Sequence, residues 1–400
     1  MLYNLTSNIQ TNMVLNKGLL EIGGYAVPSI IISNNKVEGR EKAERSALLF
    51  GISFIAPFLL LPICNKGFLK LNKISDKFGG FDDKIMHLSK EYLTRDGKYL
   101  EKGINDLLQT FEGQNDYKEI SNSFQNILKK FPNRELLRQQ LIKTHTQVFL
   151  SDFISSALMM GGIYWGSNWI TKQKTGKDGF SAKFEMVDER NLKKNAKEHE
   201  QSKFQKMAIA VGLILASGSG IASTLKKGML SSKSSKFIDF VKKHASKFDY
   251  QKGVFMSRAT LFGIMVFGDV PNTLLASRDK EELKYNTIKN AALLATFFGG
   301  DLLLNNSVAR IIDGATGTKL IDESRLKEKN TLWNRITCPL KTFKEINENK
   351  INLDAKTRRK TKIAGVGMFW GNFIILCALM GFGLPYVLNK NLRKDVAKEK

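Results

Sequence analysis

The sequence predicts an all-α fold, a polytopic helical membrane bundle of six or seven spans with polar helical insertions. Three observations carry that expectation. Apolar blocks nearly free of charge are long enough to cross a bilayer at about 1.5 Å per residue. Lysine-dense segments separate them, as polar loops separate spans. The longest polar segment repeats apolar residues at helical intervals, in Ile104, Leu107, Leu108 and Phe111 and again in Phe124, Ile127, Leu128 and Phe131.

In chain order, residues 14–64 form a first membrane-associated pair. Its weaker member, 14–32, is interrupted by Lys17, Glu21, Gly23-Gly24 and Pro28, so a tilted span, a re-entrant piece and an interfacial helix all fit. The charged connection 34–45 leads to the stronger member, 46–64, where Leu48 to Leu61 contain no ionisable group and Pro57 and Pro62 predict a bend. Residues 65–147 form a polar helical insertion. Residues 148–225 hold the middle spans, 148–170 and 207–225, and the basic connection between them. Residues 254–312 form a central membrane hairpin, 313–362 a second polar insertion, and 363–388 the final span before a basic tail. Basic loops on almost every side make orientation weakly determined, with 34–45, 171–206, 277–289 and the tail assigned to the cytoplasm.

The central hairpin carries the candidate polar intramembrane site, Asp269, Asn272, Asp301 and Asn305. Ionisable and amide groups are costly in hydrocarbon, so they are expected to face protein or water. Pro271 removes an amide donor and disturbs the preceding turn, leaving carbonyl groups near Asp269 and Asn272 able to meet an ion, water or a polar solute. Asp301 and Asn305 are four apart and share a helical face, with Asn306 offset. The structural alternative is a static hydrogen-bonded seam between helices. Arg258 is about 16 Å from Asp269 along a straight helix, too far for a direct pair, and Arg310 is placed at an interface.

The two halves also echo one another. Gly24-Tyr25-Ala26-Val27-Pro28, a charged connection and Ala47-Leu48-Leu49 parallel Gly268-Asp269-Val270-Pro271, its connection and Ala292-Leu293-Leu294; Asp152-Phe153-Ile154 parallels Asn372-Phe373-Ile374. An internal duplication of two three-segment units is one reading; chance matching of apolar composition is the other.

A net charge of +24 suits anionic membrane lipid better than nucleic acid, because the lysines are spread over the connections beside apolar runs. Three cysteines without a CxxC pair read as buried reduced thiols, and four isolated histidines lack metal-ligand spacing, so no metal and no cofactor is expected. Ser219, Ser257 and Ser307 lack a histidine and carboxylate arrangement, so no catalytic residue is assigned. Gly314 to Lys319 does not match the phosphate-binding GxxxxGK[ST] loop. No removable leader is expected, which leaves the spans to direct insertion into the cell membrane. Two functions remain: binding or transport of a small polar solute or ion, and a membrane scaffold whose insertions 65–146 or 313–362 meet a protein partner or lipid headgroups.

Overall fold

A computed structural model describes residues 2–11, 18–52, 56–73, 126, 129–130, 134–231, 235–244, 250–251, 255–256, 262–322, 340–341, 343, 346 and 353–398. Most of the insertions 65–147 and 313–362, together with Arg258, lies outside them.

The fold is all-α, apart from a two-residue antiparallel pair, β1 (Tyr250–Gln251) with β2 (Phe255–Met256). In order, the helices are α1 (Leu2–Thr11), α2 (Val27–Ile31), α3 (Lys36–Phe50), α4 (Ala56–Leu71), α5 (Arg134–Thr175), α6 (Glu189–Leu230) and α7 (Lys236–His244). They continue with α8 (Val270–Leu275), α9 (Lys280–Leu294), α10 (Asp301–Thr316), α11 (Ala355–Leu376) and α12 (Leu384–Lys398). Wider π-helical turns join several of them, at Gly18–Ala26, Met265–Asp269, Ala295–Gly300 and Cys377–Gly383.

Among the described residues three helices are long and apolar enough to cross a membrane: Ile142–Thr175, Ser202–Gly228 and Ala355–Lys398. The expected six or seven spans are thus corrected to three. The physical reasons differ by segment. Among its described residues the block 254–276 has a strand at Phe255–Met256 and a helix from Phe262 to Leu275, about 21 Å at about 1.5 Å per residue, short of a hydrocarbon core of about 30 Å. The block 288–312 stays helical through the π-helical turn Ala295–Gly300, but Asp301, Asn305 and Asn306 dilute its apolar middle. The segment at 14–32 yields a short apolar helix, Ile22–Ile31. Part of 46–64 lies outside the described residues; Cys64, expected to be buried, is exposed, as is its neighbour Ile63.

The chain divides into two compact units. One comprises 48–165 and 203–276. Its core joins Phe149, Phe153 and Ala157 of α5 to Ile214, Ala222 and Leu225 of α6 and to Ile264. Spacings of four in α5, and of eight and three in α6, keep each set of side chains on one helix face. Lipid is as apolar as the core, so close packing rather than escape from water holds such helices together. The contact at Gly218 fits that account: a Cβ there would come within 3.0 Å of the Phe153 ring.

The other unit comprises 1–47, 166–202 and 277–400. One apolar cluster gathers Phe180, Tyr285, Leu388, Leu392 and Val396; another gathers Ala309, Leu320, Ile321 and Met368. Asp313 secures the chain leaving α10, its carboxylate accepting from the Leu320 and Ile321 amides and from the Thr318 hydroxyl. The N-terminal helix is pinned by Trp370, whose indole N–H donates to Thr6 Oγ1 at 3.0 Å.

The duplication expected as two three-segment units goes beyond the three spans found. What the two stretches do share is local geometry. Each runs from a π-helical turn into a short helix with proline near its start, then through a polar turn into a longer capped helix.

Candidate functional site: intramembrane amides and a buried ion cluster

Asp269 ends a π-helical turn and is buried; it belongs to the unit 48–165 and 203–276, as does Asn272 in α8. Asn272 is bonded at both ends of its amide. Its Oδ1 accepts from the Trp165 indole N–H at 3.1 Å, and its Nδ2 donates to the Gly268 carbonyl at 2.7 Å, in the turn that Pro271 cannot serve with an amide. Thr273 donates its hydroxyl to the Asp269 carbonyl at 2.8 Å. Neighbouring side chains thereby satisfy carbonyls around a proline. Gly161 makes room for this arrangement, since a Cβ there would fall 2.5 Å from the Asn272 amide.

Asp301 opens α10 and Asn305 lies one turn later, both in the other unit. Asn305 Oδ1 accepts from Asn372 Nδ2. The amides the sequence singles out therefore have hydrogen-bond partners, and the partners named for Asn272 and Asn305 come from their own units.

Sequence reasoning missed a larger assembly of charge. It treated 34–45 and the turn at 277–284 as solvated connections. Both are folded inward instead. Asn35 caps α3 by accepting from the Glu38 amide at 2.8 Å, and the Glu38 carboxylate reaches back to the Asn34 amide at 2.5 Å. Asp279 caps α9 in the same manner, accepting from the Glu282 amide at 2.8 Å, while Glu282 reaches back to the Arg278 amide at 2.8 Å. These reciprocal bonds satisfy amides that helix starts leave open.

The Arg278 guanidinium, with its side chain 1% exposed, links the two turns. It donates to Glu282 through Nε and Nη2, both at 2.9 Å, and to Glu41 through Nη1 at 3.2 Å and Nη2 at 2.9 Å. Arg45 approaches Glu41 from the far side at 2.8 Å and donates to Ser167 and Asn168. The 3-10 turn Ser181–Lys183 closes the assembly. Asn35 Nδ2 donates to the Ser181 and Ala182 carbonyls, and buried Lys183 pairs with Glu281 at 2.8 Å and Asp279 at 3.5 Å. Lys42 pairs with Glu38 at 2.7 Å and donates to the Ser29 carbonyl at the end of α2.

The electrostatics follow from this geometry. Burial pushes the Glu41 carboxyl up, but Arg278 and Arg45 outweigh it and hold the group below its ordinary value. Burial lowers Arg278, and Glu282 and Glu41 more than reverse that, so its charge is permanent. Asp279 differs. Burial and then the nearby Glu282 raise it, Lys183 offsets only part, and the carboxyl is pushed up to about 6. Glu38, Glu41, Asp279, Glu281 and Glu282 face Lys42, Arg45, Lys183 and Arg278. The five acids outnumber the four cations, and in that setting Asp279 takes up a proton as pH falls through about 6.

Such a cluster can fix helix ends in register. It offers no nucleophile and base pair, and among the described residues no group of three His, Cys, Asp or Glu side chains is placed to hold a metal. One signal was available in the sequence: Asn34-Asn35-Lys36-Val37-Glu38 and Arg278-Asp279-Lys280-Glu281-Glu282 both carry a capping residue three before a glutamate. Which charges pair across about 237 positions of chain had no local signal.

No family model, curated protein or solved structure matches the chain. It is a predominantly helical protein with a few apolar helices of membrane length, consistent with a membrane-embedded protein.

Proposed function

We propose that the protein is a multi-pass membrane scaffold: a static helical core that holds its polar insertions, 65–146 and 313–362, and its basic connections at the bilayer surface for anionic lipid headgroups or a protein partner. The buried Arg278 cluster carries this reading. A buried guanidinium held by two carboxylates, themselves tied to helix caps, resists the rearrangement that alternating access requires. The closed hydrogen bonding of Asn272 supports it further.

A second reading, binding or transport of a small polar solute or ion at Asp269 and Asn272, draws on the π-helical turn Met265–Asp269. Single π turns recur at functional sites because they offset backbone groups from the regular ladder.

Engineered cysteines separate the two. With Cys64, Cys338 and Cys377 replaced by Ser, Asp269→Cys and Asp301→Cys are exposed in vesicles to a charged aqueous thiol reagent on either side. The scaffold reading expects both to react no faster than Leu213→Cys on the uncovered face of α6. Rapid labelling at 269 or 301 overturns the scaffold and favours a solute path.

A further inference from the structure

We propose that helix α7 is an in-plane membrane anchor that inserts Phe237 and Phe240 into the headgroup region of an anionic bilayer. The proposal rests on the membrane-embedded reading above and deepens its lipid contact.

Helix α7 is properly started. Ser235 Oγ accepts from the Ile238 amide at 3.2 Å, and its carbonyl accepts from the Asp239 amide at 2.8 Å. Such capping allows nine residues to hold a helix that longer isolated sequences struggle to keep in water. Phe237 and Phe240, three apart and hence on one side, are 65% and 59% exposed, whereas Ile238 is half-buried. Apolar area left this exposed on one side of a helix favours transfer to an apolar phase. Asp239 lies on the far side, about 130° around the helix from the midpoint of the two rings, and Lys236, four before Phe240, flanks them.

Position and charge identify the occupant. The span Ser202–Gly228 ends inside α6, and only five residues separate Leu230 from Lys236. Even fully extended, that connection reaches about 21 Å, so α7 is tethered within reach of the surface where the span emerges. Residues 226–252 hold eight lysines against two aspartates. An apolar side flanked by a lysine-rich segment at a membrane exit matches an anionic lipid interface, where each nearby lysine adds electrostatic attraction.

The test uses the full chain without its native cysteines, carrying an environment-sensitive fluorophore on a cysteine at position 237, 239 or 213. The protein is reconstituted in phosphatidylcholine vesicles with or without about 30% phosphatidylserine. A nitroxide attached near the headgroup is expected to quench the label at 237 at least about twofold more than the label at 239, and more strongly when phosphatidylserine is present. Equal quenching at 237 and 239, or equal access of aqueous iodide to both, overturns the anchor. Protection of 237 from iodide without nitroxide quenching also overturns it, because a protein then covers the ring. The label at 213 reports separately: if an acyl-chain nitroxide fails to quench it, the membrane reading itself falls.

Discussion

Arg278 shows how much one side chain can decide. Its guanidinium neutralises two carboxylates that would otherwise be buried beside each other. Replacing it by Met leaves Glu41 and Glu282 without their shared cation, and removal of one member of a buried ion set costs about 3–5 kcal/mol. Thermal unfolding in detergent should show that loss. Arg278→Lys should recover little of it, since a single ammonium cannot reproduce the fork of bonds to both acids. Wild-type stability in Arg278→Met would remove the cluster from the account of the fold. Asp279 makes a second prediction. Its folded pKa, about 6, lies above the ordinary 3.8, so the folded state binds the extra proton between these values. Stability therefore falls as pH rises from about 4 through about 6. Glu41, held below 4.5, has the opposite sign: its contribution is present above that value and lost as pH falls through its lower folded value. Melting temperature measured from pH 4.5 to 7.5 should decline in the wild type, and Asp279→Asn should flatten the decline while keeping the helix cap. An unchanged slope in that variant would place the proton elsewhere.

At the level of elements, glycines mark where helices approach one another. Gly381, in the π-helical turn before α12, lies against the Gly24 carbonyl and Pro28, so a Cβ there meets backbone that cannot turn aside. Gly371, on the same continuous span, has nothing within 4 Å of a built Cβ. Gly381→Ala should lower the melting temperature, and Gly371→Ala should raise it slightly, by the roughly 0.5–1 kcal/mol that glycine costs in a helix interior. Equal effects at the two positions would mean that α2 does not pack against this turn. Composition alone could not rank these glycines, because both sit in the same apolar run with similar neighbours. The capped turns at Asn35 and Asp279 were legible in principle from residue spacing, yet their roles differ once folded. Asn35 donates to two carbonyls of the 3-10 turn, where a carboxylate would be repelled, while Asp279 faces Lys183.

For the whole molecule, exposed apolar side chains predict behaviour in solution. Ile209, Val211, Leu213 and Leu215 on α6, and Ile374, Ile375 and Leu379 on the final span, are more than 40% exposed. The purified chain should remain dispersed only with detergent or lipid and should aggregate on their removal, measured by size-exclusion chromatography with light scattering. A folded monomer in plain buffer would contradict the membrane reading. The sequence by itself determined the helical class, the apolar character of the segments that become the three spans, and the residues that need shelter from hydrocarbon, because each follows from composition and spacing along a short window. Only the tertiary structure decided that among the described residues three helices, not six or seven, are long and apolar enough to span, since short helical runs and polar interruptions limit the other blocks. It alone also decided that the charged connections close into the Arg278 cluster: complementary charges separated by hundreds of residues become partners only when folding removes both from water.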